Sequence, residues 1–260
     1  MDLQLSGHTA LITGGSEGIG KATAIELARE GASVALCARR EDVLRAAAEE
    51  IRKEARGKVL DIPADVTRQE DIDRFVEQAA DRFGRIDILV NNAGTAAGAA
   101  FEKISDDAWG ADLDLKLMAA VRVSRTVIPH MREQGGGRIV NIAHVGGKAP
   151  GPNSLPSSVS RAAGIALTKA MSKDLAGDNI LVNAVCVGII KSGQISRAAS
   201  ARFPDASLDE AFEKMGAPIP LGRVGEAREV ATLIAYLASP LGSYVTGTAI
   251  NVDGGMGATV

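Results

Sequence analysis

The stretch Thr13-Gly14-Gly15-Ser16-Glu17-Gly18-Ile19-Gly20 has the residue types and spacing that can hold a phosphate. Its glycines allow a tight turn and let a pyrophosphate approach the backbone. An apolar run, Ala10-Leu11-Ile12, precedes it, and a helical pattern, Lys21 to Ala28, follows. A helix opening there aims its free N–H groups and the positive end of its dipole at the anion. Strand, glycine turn and helix together predict a dinucleotide site. Gly14, Ser16, Gly18, Ile19 and Gly20 would lie against the pyrophosphate.

Other positions bear on the rest of the nucleotide. Cys37-Ala38-Arg39-Arg40 follows the second β-rich run. An acidic residue here would hold the ribose 2′-OH of NAD. Ala38 has no such group, and Arg39 can pair with a 2′-phosphate, which favours NADP(H) over NAD(H). The two arginines can equally be solvated residues heading a helix, and Glu17 in the glycine loop counts against a phosphate nearby. Asp65-Val66-Thr67 follows the third run. Asp65 can accept a hydrogen bond from the adenine amine, or cap the next helix. Asn91-Asn92-Ala93-Gly94 follows the fourth. Its small residues let the chain pass close to a cofactor, while its amides can tie strand ends together.

These segments need a frame to bring them together. Seven β-rich runs alternate with helical patterns: 8–13, 33–38, 58–62, 86–90, 138–142, 180–186 and 248–252. Several are apolar throughout their centres, as strands covered on both faces should be. The alternation predicts an α/β fold, a three-layer, doubly wound parallel sheet of the Rossmann type. Such a sheet binds its ligand beyond the C-terminal ends of the strands, where the motifs lie. A single helix is expected from Asp107 to Met131. Another, from Glu226 to Ala238, carries Val230, Leu233, Ile234 and Leu237 for the core, with a subunit interface as a second use. The length of 260 residues suits one domain, residues 1–260.

Composition excludes several classes. Hydrophobic residues make up 46% and the formal net charge is −3, with no Lys/Arg-rich block. Nucleic acid and anionic membranes are therefore not expected partners. The two cysteines, Cys37 and Cys186, end apolar runs and read as reduced core residues, with no metal spacing. Neither a signal peptide nor a run long enough to span a bilayer is evident, so a cytoplasmic enzyme is expected.

Thr13-Gly-x-x-x-Gly18-x-Gly20, Asp65-Val66 and Asn91-Asn92-Ala93-Gly94 resemble the signatures of the short-chain dehydrogenase/reductase family. Pro220-Leu221-Gly222-Arg223, Thr246-Gly247 and Asn251-Val252-Asp253-Gly254-Gly255 resemble its C-terminal segments. The resemblance implies a seven-stranded sheet, an NAD(P) site and an assembly of two or four copies. It also implies nicotinamide contacts from Ile190 and Ser192, and a substrate lid over about 190–216.

The resemblance further implies a catalytic Asn, Ser, Tyr and Lys. The Asn position lies seven residues after Trp109 and is Lys116. The Ser position follows Ile139-Val140-Asn141-Ile142-Ala143 and is His144. The Tyr position, thirteen residues on, is Ser157, and the Lys position is Arg161. All four depart from the pattern, and neither Tyr236 nor Tyr244 has a lysine four residues on. Serine is a far weaker acid than a phenol of pKa ~10. His144 can act as general acid/base, because an unperturbed imidazole titrates near 6.5. Arg161 can hold ribose or a substrate anion but is no base. Lys116 can neutralise an anion, become a nucleophilic amine if its pKa falls, or pair structurally with Asp112 or Asp114. Two cations and an imidazole around a small hydroxyl suit an anionic substrate or a developing oxyanion. The expected activity is oxidoreduction of a small carbonyl or alcohol at an atypical site. The alternatives are a non-redox lyase, isomerase or dehalogenase-like enzyme, or a non-catalytic nucleotide-binding protein.

Overall fold

A computed structural model describes residues 2–260. The first half runs β1 (Thr9–Thr13), α1 (Gly18–Arg29), β2 (Ser33–Ala38), α2 (Glu41–Arg52), β3 (Val59–Pro63), α3 (Gln69–Phe83) and β4 (Ile88–Asn91). A short β5 (Gly98–Ala99) follows, then α4 (Asp106–Leu113), a π-helical turn (Asp114–Met118), α5 (Ala119–Glu133) and β6 (Gly137–His144). The remainder is β7 (Leu155–Pro156), α6 (Ser157–Asp174), β8 (Ile180–Val187), α7 (Gly193–Arg202), α8 (Leu208–Gly216), α9 (Ala227–Ala238) and β9 (Ala249–Val252).

Seven strands form one sheet in the order β3-β2-β1-β4-β6-β8-β9, every pair parallel. The fold is a single-domain Rossmann-type α/β structure, as the alternation predicts. Chain order reverses between β1 and β4. Their following loops diverge there and leave a crevice at the strands' C-terminal ends.

Each face of the sheet has its own apolar core. Leu27 of α1, Ile51 of α2 and Ile234 of α9 cover one face. Phe75 of α3, with Val127 and Met131 of α5, covers the other. Ile72, Phe75, Val76 and Ala79 recur at helical spacing, so α3 turns one apolar stripe inward. Each fully buried Leu, Ile or Phe contributes about 1.5–3 kcal/mol. Val230, Ile234 and Leu237 of α9 belong to the core shared with α1. All three are fully buried within the chain itself.

Two elements differ from expectation in ways that matter to the site. The helix expected from Asp107 to Met131 is interrupted by the π turn, whose wider coil rotates Lys116 into the protein, where it is buried. β6 runs two residues past the expected end, because His144 stays in register with Val187 of β8.

Candidate functional site

The crevice opens into a cavity of about 1010 Å³. That is the upper end of the range for small-molecule sites. At one wall, Gly14 and Gly18 take φ of +65° and +54°, a conformation suited to glycine. A Cβ on Gly20 would sit 2.3 Å from the Gly14 carbonyl oxygen and 2.5 Å from Asn92 Nδ2. Helix α1 starts at Gly18 with no side-chain cap. Its free N–H groups face a space that only a glycine-lined turn leaves open, so a phosphate fits here. An open helical glycine gains up to about 1 kcal/mol on replacement by alanine. Gly20→Ala should instead lose about 1–3 kcal/mol by overpacking. Differential scanning calorimetry gives the sign directly.

Gly14, Ser16, Gly18 and Ile19 line this wall, and Gly20 packs just behind it. Asn92 Nδ2 donates to the Thr13 and Gly14 carbonyls at 2.9 and 3.0 Å, locking the glycine loop to the end of β4. Asn91 Nδ2 donates to Asn141 Oδ1 at 2.9 Å, tying β4 to β6. Ala93 and Gly94 line the cavity beside them. Arg40 pairs with Glu17 at 2.5 Å, so the loop carboxylate is answered by a cation. Arg39 lines the cavity and has no ion-pair partner among the described residues. Asp65 and Val66 also line it. Asp65 Oδ1 accepts from Thr67 N and Oγ1 at 3.0 and 2.8 Å, closing a local turn. It does not cap α3, whose N-cap is Arg68.

The other end of the cavity gathers His144, Ser157 and Arg161. His144 stands at the end of β6, and its Nδ1 accepts the Gly146 N–H at 2.9 Å. The ring proton therefore sits on Nε2 and the imidazole is neutral. Burial, together with Arg161, pushes its pKa below the usual range, with Asp253 opposing. Arg161 is half-buried and donates from Nη1 to the Ile142 carbonyl at 2.5 Å. A Cβ on Gly94 would come within 2.7 Å of Arg161 Nη2, so that glycine makes room for the guanidinium. Burial lowers the Arg161 pKa, against Asp112.

Lys116 is not in the cavity wall. Its side chain is 0% exposed and forms an ion pair with Asp112, itself 4% exposed. This is the structural pairing that the i,i+4 spacing allows. It removes two other readings: Lys116 is no free nucleophilic amine, and its charge is already matched. Among the described residues, Arg161 is therefore the cation at the base of the cavity's far end that has no ion-pair partner. Lys116 Nζ also donates to Ser157 Oγ at 2.6 Å, and Ser160 Oγ donates to Asp112 Oδ2 at 2.6 Å. Burial lowers the Lys116 pKa, with Asp112 opposing and Arg161 adding to the shift.

Ile190 and Ser192 line the cavity on its third side. Ser192 Oγ caps α7 by accepting from Ile195 N at 3.3 Å. Several contributors are not evident from sequence. Arg197 of α7 faces the cavity, as do Met256, Gly257 and Ala258. The Asp253 carboxylate holds that last segment by accepting from Gly255 N and Gly257 N at 3.0 and 2.6 Å. An Asp followed by glycines is its only local signal. Cys37 is fully buried, with its thiol pushed up to about 12, and Cys186 is raised too, so both are inert core groups. No group of metal-ligating side chains occurs among the described residues. No helix among them is long and apolar enough to cross a membrane.

Comparison with known proteins bears on the fold and the family. The family model described as Enoyl-(Acyl carrier protein) reductase matches residues 14–257. The 3-oxoacyl-[acyl-carrier-protein] reductase of Thermotoga maritima is 37% identical, over 98% of this chain and 99% of its own. The structure of L-sorbose reductase from Gluconobacter frateurii, complexed with NADPH and L-sorbose, superposes with a TM-score of 0.96. It is 34% identical over 100% of both chains. An actinorhodin polyketide ketoreductase structure with NADPH has a TM-score of 0.90 and 36% identity, over 97% of this chain and 98% of that one. Sheet order, glycine cradle and these relatives, which are oxidoreductases, lead to one conclusion: the chain belongs to the short-chain dehydrogenase/reductase family.

Proposed function

We propose that the protein is an NADP(H)-dependent reductase of a small ketone, working with a set of residues unlike the usual Asn, Ser, Tyr and Lys of its family. One observation carries this reading: a single cavity joins the glycine cradle and Arg39 at one end to His144, Ser157 and Arg161 at the other. A bound nicotinamide supplies the hydride.

The chain's own residues do the rest. The α1 N-terminus and glycine loop receive the pyrophosphate, and Asp65, Val66 and Ala93 flank the adenosine side. Arg39 receives a 2′-phosphate. Ile190 and Ser192 face the nicotinamide amide. Arg161, fixed by the Ile142 carbonyl, holds the nicotinamide ribose and makes the far end of the cavity electropositive. His144 directs its Nε2–H at the substrate oxygen as a neutral donor, which stabilises negative charge as it develops there. α7 and α8 form the lid. They share a small core of their own around Phe212 and Met215, and Arg197 of α7 brings a second cation over an anionic substrate.

The cofactor preference is testable. A hydrogen bond to a charged group is worth about 1.5–3 kcal/mol. Arg39→Ala should therefore weaken NADPH binding on the order of ten- to a hundredfold, while NADH binding is unchanged. Fluorescence titration with both nucleotides measures it. Equal losses for the two would remove the 2′-phosphate assignment.

A second reading rests on the absence of any phenol from the cavity wall. Tyr236 is partly exposed and Tyr244 fully exposed at the surface. That favours a non-redox reaction with the nucleotide held structurally. Turnover without a change in nicotinamide absorbance would support it. Oxidation of NADPH by a ketone would support the first.

A further inference from the structure

Reducing a carbonyl to an alcohol places one proton on oxygen. His144 is neutral, and Arg161 does not release a proton near neutral pH. Ser157 Oγ lines the cavity and accepts two hydrogen bonds, from Lys116 Nζ at 2.6 Å and from Ala97 N at 3.0 Å. Both of its acceptor positions are occupied, so its own hydrogen is left to donate. Behind it, Lys116 is held by Asp112 Oδ1, and Asp112 Oδ2 is held by Ser160, three residues beyond Ser157 on α6. An ion pair serving only packing would not need the contact with Ser157.

We propose that Lys116 and Ser157 form a proton relay: Lys116 is the proton source, and Ser157 hands the proton to the substrate oxygen. This rests on the reductase reading above. As the carbonyl carbon gains hydride and is reduced by two electrons, the π pair of C=O moves onto oxygen. That oxygen forms its O–H bond with the Ser157 hydrogen as the Oγ–H bond breaks. Oγ in turn takes a hydrogen from Lys116 Nζ, leaving a neutral amine beside Asp112. Water entering as the product leaves restores the proton through the same hydroxyl.

Acid strength supports the arrangement. The reference pKa of an ammonium, ~10.4, nearly equals that of a phenol, ~10. The relay thus provides an acid of tyrosine's strength from inside the wall, and leaves the volume of a phenol ring to the substrate. Burial, with Arg161 beside it, favours the neutral amine and outweighs the opposing Asp112 carboxylate, which eases the transfer.

The test uses the full chain with NADPH, and with acetoacetyl-coenzyme A and L-sorbose as probes. Ser157→Ala should lower kcat about 10²–10⁴-fold, the usual worth of general acid catalysis, with NADPH affinity unchanged by fluorescence. Ser157→Thr, which keeps the hydroxyl, should retain most activity. The charged and titratable groups that act on Lys116 are Asp112 of α4, His144 of β6 and Arg161 of α6, and its Nζ also bonds Ser157. Its pKa lies below 10.5, so the unmodified rate should fall as pH rises through that lowered value, and Ser157→Ala should lose this alkaline limb. NMR of protein labelled at lysine Cε, without nucleotide, should show the Lys116 signal titrating below 10.5. Retained rate in Ser157→Ala, or a Lys116 that titrates at or above 10.5, overturns the relay and leaves the reductase reading standing. No NADPH oxidation by the unmodified chain with either probe removes the reductase reading, and the relay with it.

Discussion

Lys116→Met should lower the thermal midpoint by roughly 6–20 °C, the largest stability change expected from one substitution at the site. Asp112 is 4% exposed and, among the described residues, reaches no cation other than Lys116 at ion-pair distance. Removing one partner of a buried pair leaves an uncompensated charge and costs about 3–5 kcal/mol. A chain of this length shifts by about 2–4 °C per kcal/mol. The partner substitution discriminates charge from packing. Lys116→Met combined with Asp112→Leu should recover most of the loss, because a well-packed apolar pair often matches a buried ion pair. Calorimetry of the two singles and the double forms the cycle. A shift under about 2 °C for Lys116→Met, far less than such a buried charge implies, would mean that Asp112 finds solvent. The ion pair would then not hold α4 and the π turn against α6.

The same pair shows where sequence is legible and where it is not. The i,i+4 spacing of Asp112 and Lys116 is visible in the chain, and so is their pairing. Their direction is not. That follows from the π turn at Asp114–Met118, which nothing in the local pattern marks and which turns Lys116 toward Ser157. Of the roles open to Lys116, the structure shows the pairing with Asp112, which cancels one of the two cations. The glycine loop was legible for the opposite reason. A Cβ at Gly20 has no space, so chemistry and backbone demand the same residue type. The parallel, doubly wound sheet was legible because the buried strands read as apolar runs between helical patterns. The wall made by Met256, Gly257 and Ala258 was not, because it depends on where the chain returns after β9 and on the Asp253 turn. Helix α9 was legible as a core element from its apolar stripe, and it packs against α1 accordingly.

His144→Ala should reduce kcat by about 10²–10³, the worth of one well-placed donor to a developing oxyanion, without weakening NADPH binding. The pH dependence identifies how the imidazole acts. Burial and the nearby Arg161 hold its pKa below 6.5. A neutral donor therefore predicts a rate that is level on the acid side down to about 6.5, the reference value, and falls below it as imidazolium forms. Protonation also puts an N–H on Nδ1, facing the Gly146 N–H that it now accepts from. Stability should follow the same direction. With the folded pKa depressed, the unfolded chain binds more protons between the two values. Stability contributed by His144 is present above about 6.5 and lost as pH falls through the folded value. His144→Gln, which keeps an N–H donor but does not titrate, should retain part of the rate and flatten the acid limb. A rate that instead rises below pH 6.5 would make the imidazolium the acid. The proton would then come from His144, and Ser157 with Lys116 would hold the wall without feeding the reaction.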